Sequence, residues 1–155
     1  MRHGERFAGS FRESRRAIDA VVAAGANIEA PGAGTSGGTP HADAIAFGQW
    51  NAARRLIEHG AHSTLWESAA LGLTDRVIKH CNDDHPAADD ITASFWGACH
   101  GNQSATAAYL LSLGAGINWI GWDGLTPLDA AQREEATDLL DWLREHGAKP
   151  ATESR

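Results

Sequence analysis

One stretch near the end of the chain limits what the whole chain can fold into. Residues 123–148, DGLTPLDAAQREEATDLLDWLREHGA, open with an Asp-Gly turn. Thr126 and Pro127 then stand where a helix needs an N-cap and a first helical residue. Leucines at helical spacing predict a second helix, and Gly147 follows it where a left-handed residue is favoured. Two short helices cannot bury their apolar faces alone, so the stretch predicts stacked neighbours of the same kind.

Related stretches recur earlier in the chain at the same spacing. The interval from Thr126 to Gly147 is 21 residues, and the intervals 39–60 and 93–114 repeat it. The segment GANIEA, which starts at Gly25, matches the end of a further copy. Several copies in register predict a helical repeat protein rather than isolated helical hairpins.

These copies resemble the ankyrin-repeat family, on the segments TPLDAA at Thr126, LLSLGAGIN at Leu110 and GANIEA at Gly25. The resemblance implies an all-α solenoid of about four to five stacked helix pairs with short hairpin fingers. It also implies a single repeat domain over residues 1–149, followed by a polar tail at 150–155. The approximate repeat units are 4–30, 38–62, 63–85, 90–121 and 122–149.

The first unit departs from the family pattern because no Thr-Pro pair begins it. Phe7 and Phe11 predict a weak first helix, and Ile18 and Val21 predict the inner face of a second helix. We therefore expect two helices in this unit, as in the others.

Charge and composition exclude several kinds of partner. The chain has 13 basic and 20 acidic residues, and its net charge of −7 argues against a nucleic-acid partner, because phosphate binding depends on clustered Lys and Arg. No apolar run approaches the roughly 18 residues of a membrane span, and the N-terminal residues lack the apolar core of a signal peptide. Cys81 and Cys99 are too few for a disulfide framework and suit a reducing compartment. We expect a cytoplasmic monomer without membrane contact.

No motif for catalysis, cofactor binding or metal binding occurs in the sequence. It lacks GxSxG, GxxxxGK[ST] and HExxH, and no GxGxxG follows a strand pattern. The densest group of metal-ligand residue types is His80, Cys81 and His85. His80 and Cys81 are adjacent on one helix, so their side chains diverge by about 100°. We expect no enzyme activity, no cofactor and no metal.

The ankyrin resemblance implies that the chain binds a protein partner through a concave surface of first helices and fingers. Trp119 and Trp122 flank Gly121 in a full-length finger, and tryptophan is enriched at binding hot spots. The alternative is that the two rings pack on each other and stiffen the finger. The expected partner-binding residues are Phe47, Leu71, His100, Trp119, Trp122, Asp123, Arg133 and Glu134.

A second interpretation is a small-ligand-binding or enzyme-accessory module with a pocket near His62 and Trp66, where the junction between two copies is short. A deep, enclosed cavity there would favour this interpretation, whereas an open, shallow groove would favour protein binding. A third interpretation is a structural spacer, in which Trp119 and Trp122 would be fully buried.

Overall fold

The structure, a computed structural model, describes residues 3–32 and 38–154 of the chain. These residues form helices joined by turns, and no β-strand occurs among them. The helices are α1 (His3–Ala23), α2 (Pro40–Ala46), α3 (Trp50–Glu58), α4 (Leu65–Ala70), α5 (Thr74–Asp83), α6 (Ala88–His100), α7 (Ser104–Ser112), α8 (Pro127–Arg133) and α9 (Thr137–Glu145). The prediction of an all-α fold is confirmed.

The chain divides into two compact units, Met1–Ser63 and Thr64–Arg155. In the first unit, α3 contacts both α1 and α2. The second unit contains three helix pairs, α4 with α5, α6 with α7 and α8 with α9. Because α6 contacts both α4 and α8, the first helices of these pairs lie side by side. The predicted stacking of helix pairs is therefore present within the second unit.

Threonine side chains cap three of the first helices. The hydroxyl of Thr126 accepts a hydrogen bond from the N–H of Asp129 (3.3 Å), and the Asp129 carboxylate accepts one in return from the Thr126 N–H (3.1 Å). Thr64 and Glu67 form the same reciprocal pair, at 3.2 and 2.8 Å, and Thr39 caps α2. Such caps satisfy N–H groups that the first helical turn leaves unpaired, which explains where these helices begin.

A left-handed residue follows the first helix of every pair. These residues are Gly48, Gly72, Asn102 and Glu135, with φ between 55° and 67°. In each turn, the N–H of the next residue donates to the carbonyl five positions before it, so the first helix ends in the same way four times. The four residues are 24, 30 and 33 residues apart, which are the intervals between the sequence copies.

A Gly-Ala pair follows each of four helices, α1, α3, α7 and α9. The glycines at positions 25, 60, 114 and 147 have φ between 85° and 93°, and the N–H of the alanine after each one bonds back to the helix. The predicted left-handed conformation of Gly147 is confirmed. α5 ends differently, at Asp83, with His85 in the left-handed conformation.

The core of the second unit lies between the stacked pairs. Phe95 on α6 is fully buried in a cluster with Leu110, Leu139 and Leu143. α4 and α6 approach each other closely at Gly101, where an added Cβ would lie 1.8 Å from the carbonyl oxygen of Ala70. No side chain fits at this position without separating the two helices.

The first unit corrects the prediction of two N-terminal helices. α1 is a single helix of 21 residues. Its sequence contains no proline, and Gly9 is the one glycine away from its ends, so nothing in it breaks a helix. The prediction of a break is wrong, and the side chains of Phe7 and Phe11, on which it depended, lie outside the described part of the chain.

One carboxylate ties α1 to α3. Asp19 Oδ1 accepts a hydrogen bond from Arg55 Nε at 2.6 Å and lies 2.8 Å from His59 Nε2. Two hydrogen bonds lower the pKa of Asp19 to about 2, and the one from Arg55 contributes more than the one from His59. The ionised form of this carboxylate is therefore the one that the first unit stabilises.

We expect the first unit to lose stability as the pH falls from about 4 to about 2. Because the pKa of Asp19 in the folded chain lies below its ordinary value of 3.8, its protonation in this range removes a contribution to folding. The indole N–H resonance of Trp50, the one tryptophan in residues 1–63, reports on this unit in an acid titration. Asp19→Asn should lower stability at neutral pH and flatten this dependence, whereas Glu13→Gln, on the same helix, should behave like the native chain.

Candidate functional site

The segment between α7 and α8, residues 115–125, forms a finger that is held at several points. The N–H of Gly116 donates to Thr92 Oγ1 at 3.0 Å. Asn118 donates to the carbonyl of Gly147 at 3.2 Å and accepts from the N–H of Lys149 at 2.7 Å. Contacts to α6 and to the segment that follows α9 fix the position of the finger before any partner binds.

Trp96 fixes the tip of the finger against α6. Its ring is only 5% exposed, and its Nε1 donates to the carbonyl of Leu125 at 3.1 Å. Gly121 lies against this ring, since an added Cβ would lie 2.9 Å from Trp96 Nε1. The N–H of Gly121 also donates to the carbonyl of Leu125, at 2.8 Å. Gly121 is therefore required by the close packing of the finger on Trp96.

The two finger tryptophans join Trp96 in an aromatic cluster. The rings of Trp119 and Trp122 meet edge to face with centroids 5.3 Å apart, and Trp122 meets Trp96 at 6.5 Å. Trp122 is nevertheless 74% exposed. The rings pack on each other, as the alternative interpretation supposed, and one of them still presents a large apolar surface to solvent. We call Trp96, Trp119 and Trp122 the tryptophan cluster.

Polar residues of α6 and α8 border the tryptophan cluster. Arg133 donates from Nη1 to Asp123 Oδ2 and from Nη2 to His100 Nδ1, both at 3.3 Å. Glu134 Oε1 lies 3.7 Å from the same nitrogen of His100. His100 stacks on Trp96 with ring centroids 5.3 Å apart. The guanidinium of Arg133 is therefore oriented by two partners, while its side chain remains 46% exposed.

The structure brings together most of the residues expected to bind a partner. Trp119, Trp122, Asp123, Arg133 and Glu134 surround one end of the finger, each at least partly exposed.

Two of the expected contact residues are buried. His100 is 3% exposed and Leu71 is 1% exposed, so neither presents a surface to a partner. His100 keeps a role beneath the face because it orients Arg133. Leu71 belongs to the core and has no place in the face.

A comparison with Phe47 explains why the sequence alone wrongly predicted an exposed Leu71. Both residues are C-caps of first helices, at α2 and α4, but Phe47 is 74% exposed while Leu71 is buried. Their equivalence in the repeat pattern predicts the same environment for both. The packing around each copy decides the outcome, and the sequence pattern does not contain that information. Phe47 lies in the first unit and is a separate exposed residue.

An open groove of about 440 Å³ lies in the second unit and includes Trp66 and Trp122 in its lining. All its lining residues belong to the second unit. His62 belongs to the first unit, where its N–H donates to Glu29 Oε1 at 2.7 Å and its side chain is 92% exposed. The expectation of a pocket near His62 and Trp66 stays a prediction. Asp84 and Asp90, which no sequence motif marks as site residues, also line this groove.

Side chains near the end of α5 are paired with one another. His80 Nδ1 lies 2.8 Å from Asp84 Oδ2, and Lys79 pairs with Asp83. Within residues 3–32 and 38–154, no three His, Cys, Asp or Glu residues are arranged to hold a metal ion. Over the same residues, no helix combines the length and apolar character needed to cross a membrane.

We expect the two cysteines to react very differently in the folded chain. Cys99 is fully buried, and burial raises the pKa of its thiol strongly; burial also raises the pKa of the half-buried Cys81 thiol. Cys81 should therefore react slowly with an aromatic disulfide reagent at neutral pH, and Cys99 only after denaturant is added. In the Cys81→Ser variant, rapid labelling of the native chain would contradict the burial of Cys99.

The sequence matches no family model and no curated protein. Among solved structures, the chain is similar to the human ASB11 ankyrin repeat domain, at 19% sequence identity and a TM-score of 0.48. The similarity covers 92% of this chain and 68% of that one. The left-handed turns after the first helices recur at intervals of 24, 30 and 33 residues. The fold of the second unit is a stack of helix pairs. Within this stack, the tryptophan cluster lies on a finger and on the first helix before it, α6.

Proposed function

We propose that the chain is a non-catalytic module that binds a protein partner through Trp119, Trp122, Asp123, Arg133 and Glu134. The exposure of Trp122 is the observation that supports this most directly. A ring that is 74% exposed, on a finger held by several hydrogen bonds, leaves a large apolar surface uncovered. Burial of that surface by a partner would supply the apolar part of the binding free energy.

The arrangement around Trp122 suits recognition because little needs to be ordered on binding. Trp96 and Trp119 hold the indole, and Asp123 and His100 hold the guanidinium of Arg133. Side chains that are already positioned lose less conformational entropy when a partner binds. Tryptophan and arginine are also among the residue types that are enriched at hot spots of protein interfaces.

The partner is a protein rather than a nucleic acid in this proposal. The net charge of −7 disfavours a phosphate backbone, and Arg133 in the face is already paired with Asp123. We also propose that the chain acts as a monomer in the cytoplasm, where Cys81 and Cys99 would remain reduced. Residues 1–149 form one repeat domain in this proposal, and Phe47 is a second, separate contact on its first unit.

A peptide-display selection tests the proposed function. A random peptide library is panned on the native chain and on the Trp122→Ala variant, and the peptides enriched on each are compared. We expect the native chain to enrich peptides that the variant does not bind. Equal enrichment on the two chains, with both shown to be folded by circular dichroism, would refute the proposed face. The Phe47→Ala variant is panned separately, because its effect concerns only the first unit.

A further inference from the structure

The groove that Trp122 shares with Trp66 has aromatic walls and an acidic lining. Asp84, at the end of α5, and Asp90, in the first turn of α6, line it together with Trp66 and Trp122. We call this site the acidic groove. No lysine or arginine is among its lining residues, so its charged lining is negative apart from His80, which is paired with Asp84.

Both carboxylates keep an oxygen available for a ligand. Asp84 uses Oδ2 to contact His80 Nδ1 at 2.8 Å, and Asp90 uses Oδ2 to accept a hydrogen bond from the N–H of Ala87 at 3.3 Å. These contacts orient the two carboxylates and leave Oδ1 of each to accept from a donor in the groove. A donor that carries positive charge gains most, because charge-assisted hydrogen bonds are stronger than neutral ones.

The indole rings are held in place before any ligand enters. Trp66 packs against Gly97 so closely that a Cβ added there would lie 2.8 Å from Trp66 Nε1. Trp122 is held by Trp96 and Trp119. A cation placed over the face of an indole is attracted by the negative charge of the ring face. Aromatic walls and carboxylates thus favour the same kind of ligand.

We propose that the acidic groove binds an arginine side chain from a basic segment of the protein partner. This proposal rests on the proposed function, in which Trp122 contacts that partner. A planar guanidinium can stack on an indole and donate N–H groups to a carboxylate at the same time, which the ammonium group of lysine cannot do as well. The net charge of −7 also attracts a basic segment over a longer range.

The first test uses synthetic peptides as probes. A short, end-blocked Gly-Ser peptide that carries arginine residues is titrated into the native chain, and the indole N–H resonances of Trp66 and Trp122 are followed. Matched peptides carry lysine or citrulline, the uncharged isostere of arginine. We expect both resonances to shift with the arginine peptide, and the citrulline peptide to bind about tenfold more weakly or worse. Equal binding of the citrulline or lysine peptide, or shifts confined to other tryptophans, would overturn the assignment.

The second test changes the acids of the groove. Asp84→Asn with Asp90→Asn should weaken binding of the arginine peptide about tenfold. Asp89→Asn removes the same charge from the neighbouring position of α6, outside the groove lining, and should change the affinity less than about twofold. An equal loss in this control would show that only overall charge matters. If the double variant does not fold, the single Asp84→Asn variant, which keeps the Asp90 cap, takes its place.

Failure of the groove assignment is distinguishable from failure of the proposed function. Peptides selected on the native chain would be measured on the Trp122→Ala variant and on the Asp84→Asn, Asp90→Asn variant. Dependence on Trp122 without dependence on the two acids would overturn the acidic groove and leave the proposed function standing. Independence from Trp122 would overturn the proposed function itself.

Discussion

Replacing Trp122 and Arg133 together by alanine is expected to abolish measurable binding of the peptides selected on the native chain. Hot-spot residues cost about 2 kcal/mol or more each when truncated, which corresponds to a loss of roughly thirtyfold for each residue. Trp122 is 74% exposed and Arg133 is 46% exposed, so the same substitutions should lower the free energy of unfolding by only about 0.5 kcal/mol. Isothermal titration calorimetry and urea unfolding measure the two quantities on the same preparation.

A matched control distinguishes the loss of contacts in the proposed face from a general effect of truncating surface side chains. Leu113 is 43% exposed and Arg144 pairs with Asp141 on the surface, and neither residue belongs to the tryptophan cluster or to the proposed face. The Leu113→Ala, Arg144→Ala variant removes one exposed apolar side chain and one paired arginine. It should bind the selected peptides as tightly as the native chain. A loss of stability confined to the Trp122, Arg133 variant would instead show that Trp122 holds the finger in place.

Gly101→Ala is expected to destabilise the second unit by about 3 kcal/mol or more, because overpacking between two helix backbones leaves no flexible side chain to yield. The added Cβ would lie 1.8 Å from the carbonyl oxygen of Ala70, so α4 and α6 would have to separate. His100 and Trp96 are on α6, so the tryptophan cluster should be disturbed as well. Chemical denaturation followed by circular dichroism measures the first effect, and the indole N–H resonances report the second.

Gly116→Ala is the control for this substitution. An added Cβ at Gly116 would lie 3.3 Å from the methyl group of Thr92, and its three nearest atoms all belong to side chains rather than to the backbone. The loss of stability should therefore stay within about 1 kcal/mol. If Gly101→Ala were as mild as Gly116→Ala, the close approach of α4 and α6 would not be a constraint on the fold.

The sequence predicted several residues of the proposed binding face, but it did not predict the residue that supports that face from below. Trp119 and Trp122 flank a glycine in a finger whose length follows from the repeat interval, and the repeat pattern alone places Arg133 and Glu134 at the end of the neighbouring helix. The sequence could not show that Trp96 underlies the finger. A tryptophan at that position of a first helix has the pattern of a core residue, and it is one, but its Nε1 also bonds to the finger.

The acidic groove shows a different limit of the sequence. Asp84 and Asp90 belong to the stretch CNDDHPAADD, whose polar composition predicts a solvated loop. Both side chains are indeed exposed, but α6 begins at Ala88 and carries Asp90 in its first turn. Asp90 therefore lies on a helix and lines the same groove as Trp66, which is 24 residues away in the chain. Only the packing of α4 against α6 brings the two residues to one groove.

The sequence by itself determined the local structure of this protein. Threonine caps, left-handed glycines and apolar periodicity act within a few residues of the chain, so they specify where helices begin and end and at what interval the pairs recur. The tertiary structure decided which of the equivalent residues are exposed. Leu71 and Phe47 hold the same place in their repeats, and one is buried while the other is exposed, because burial depends on neighbours that are distant in sequence.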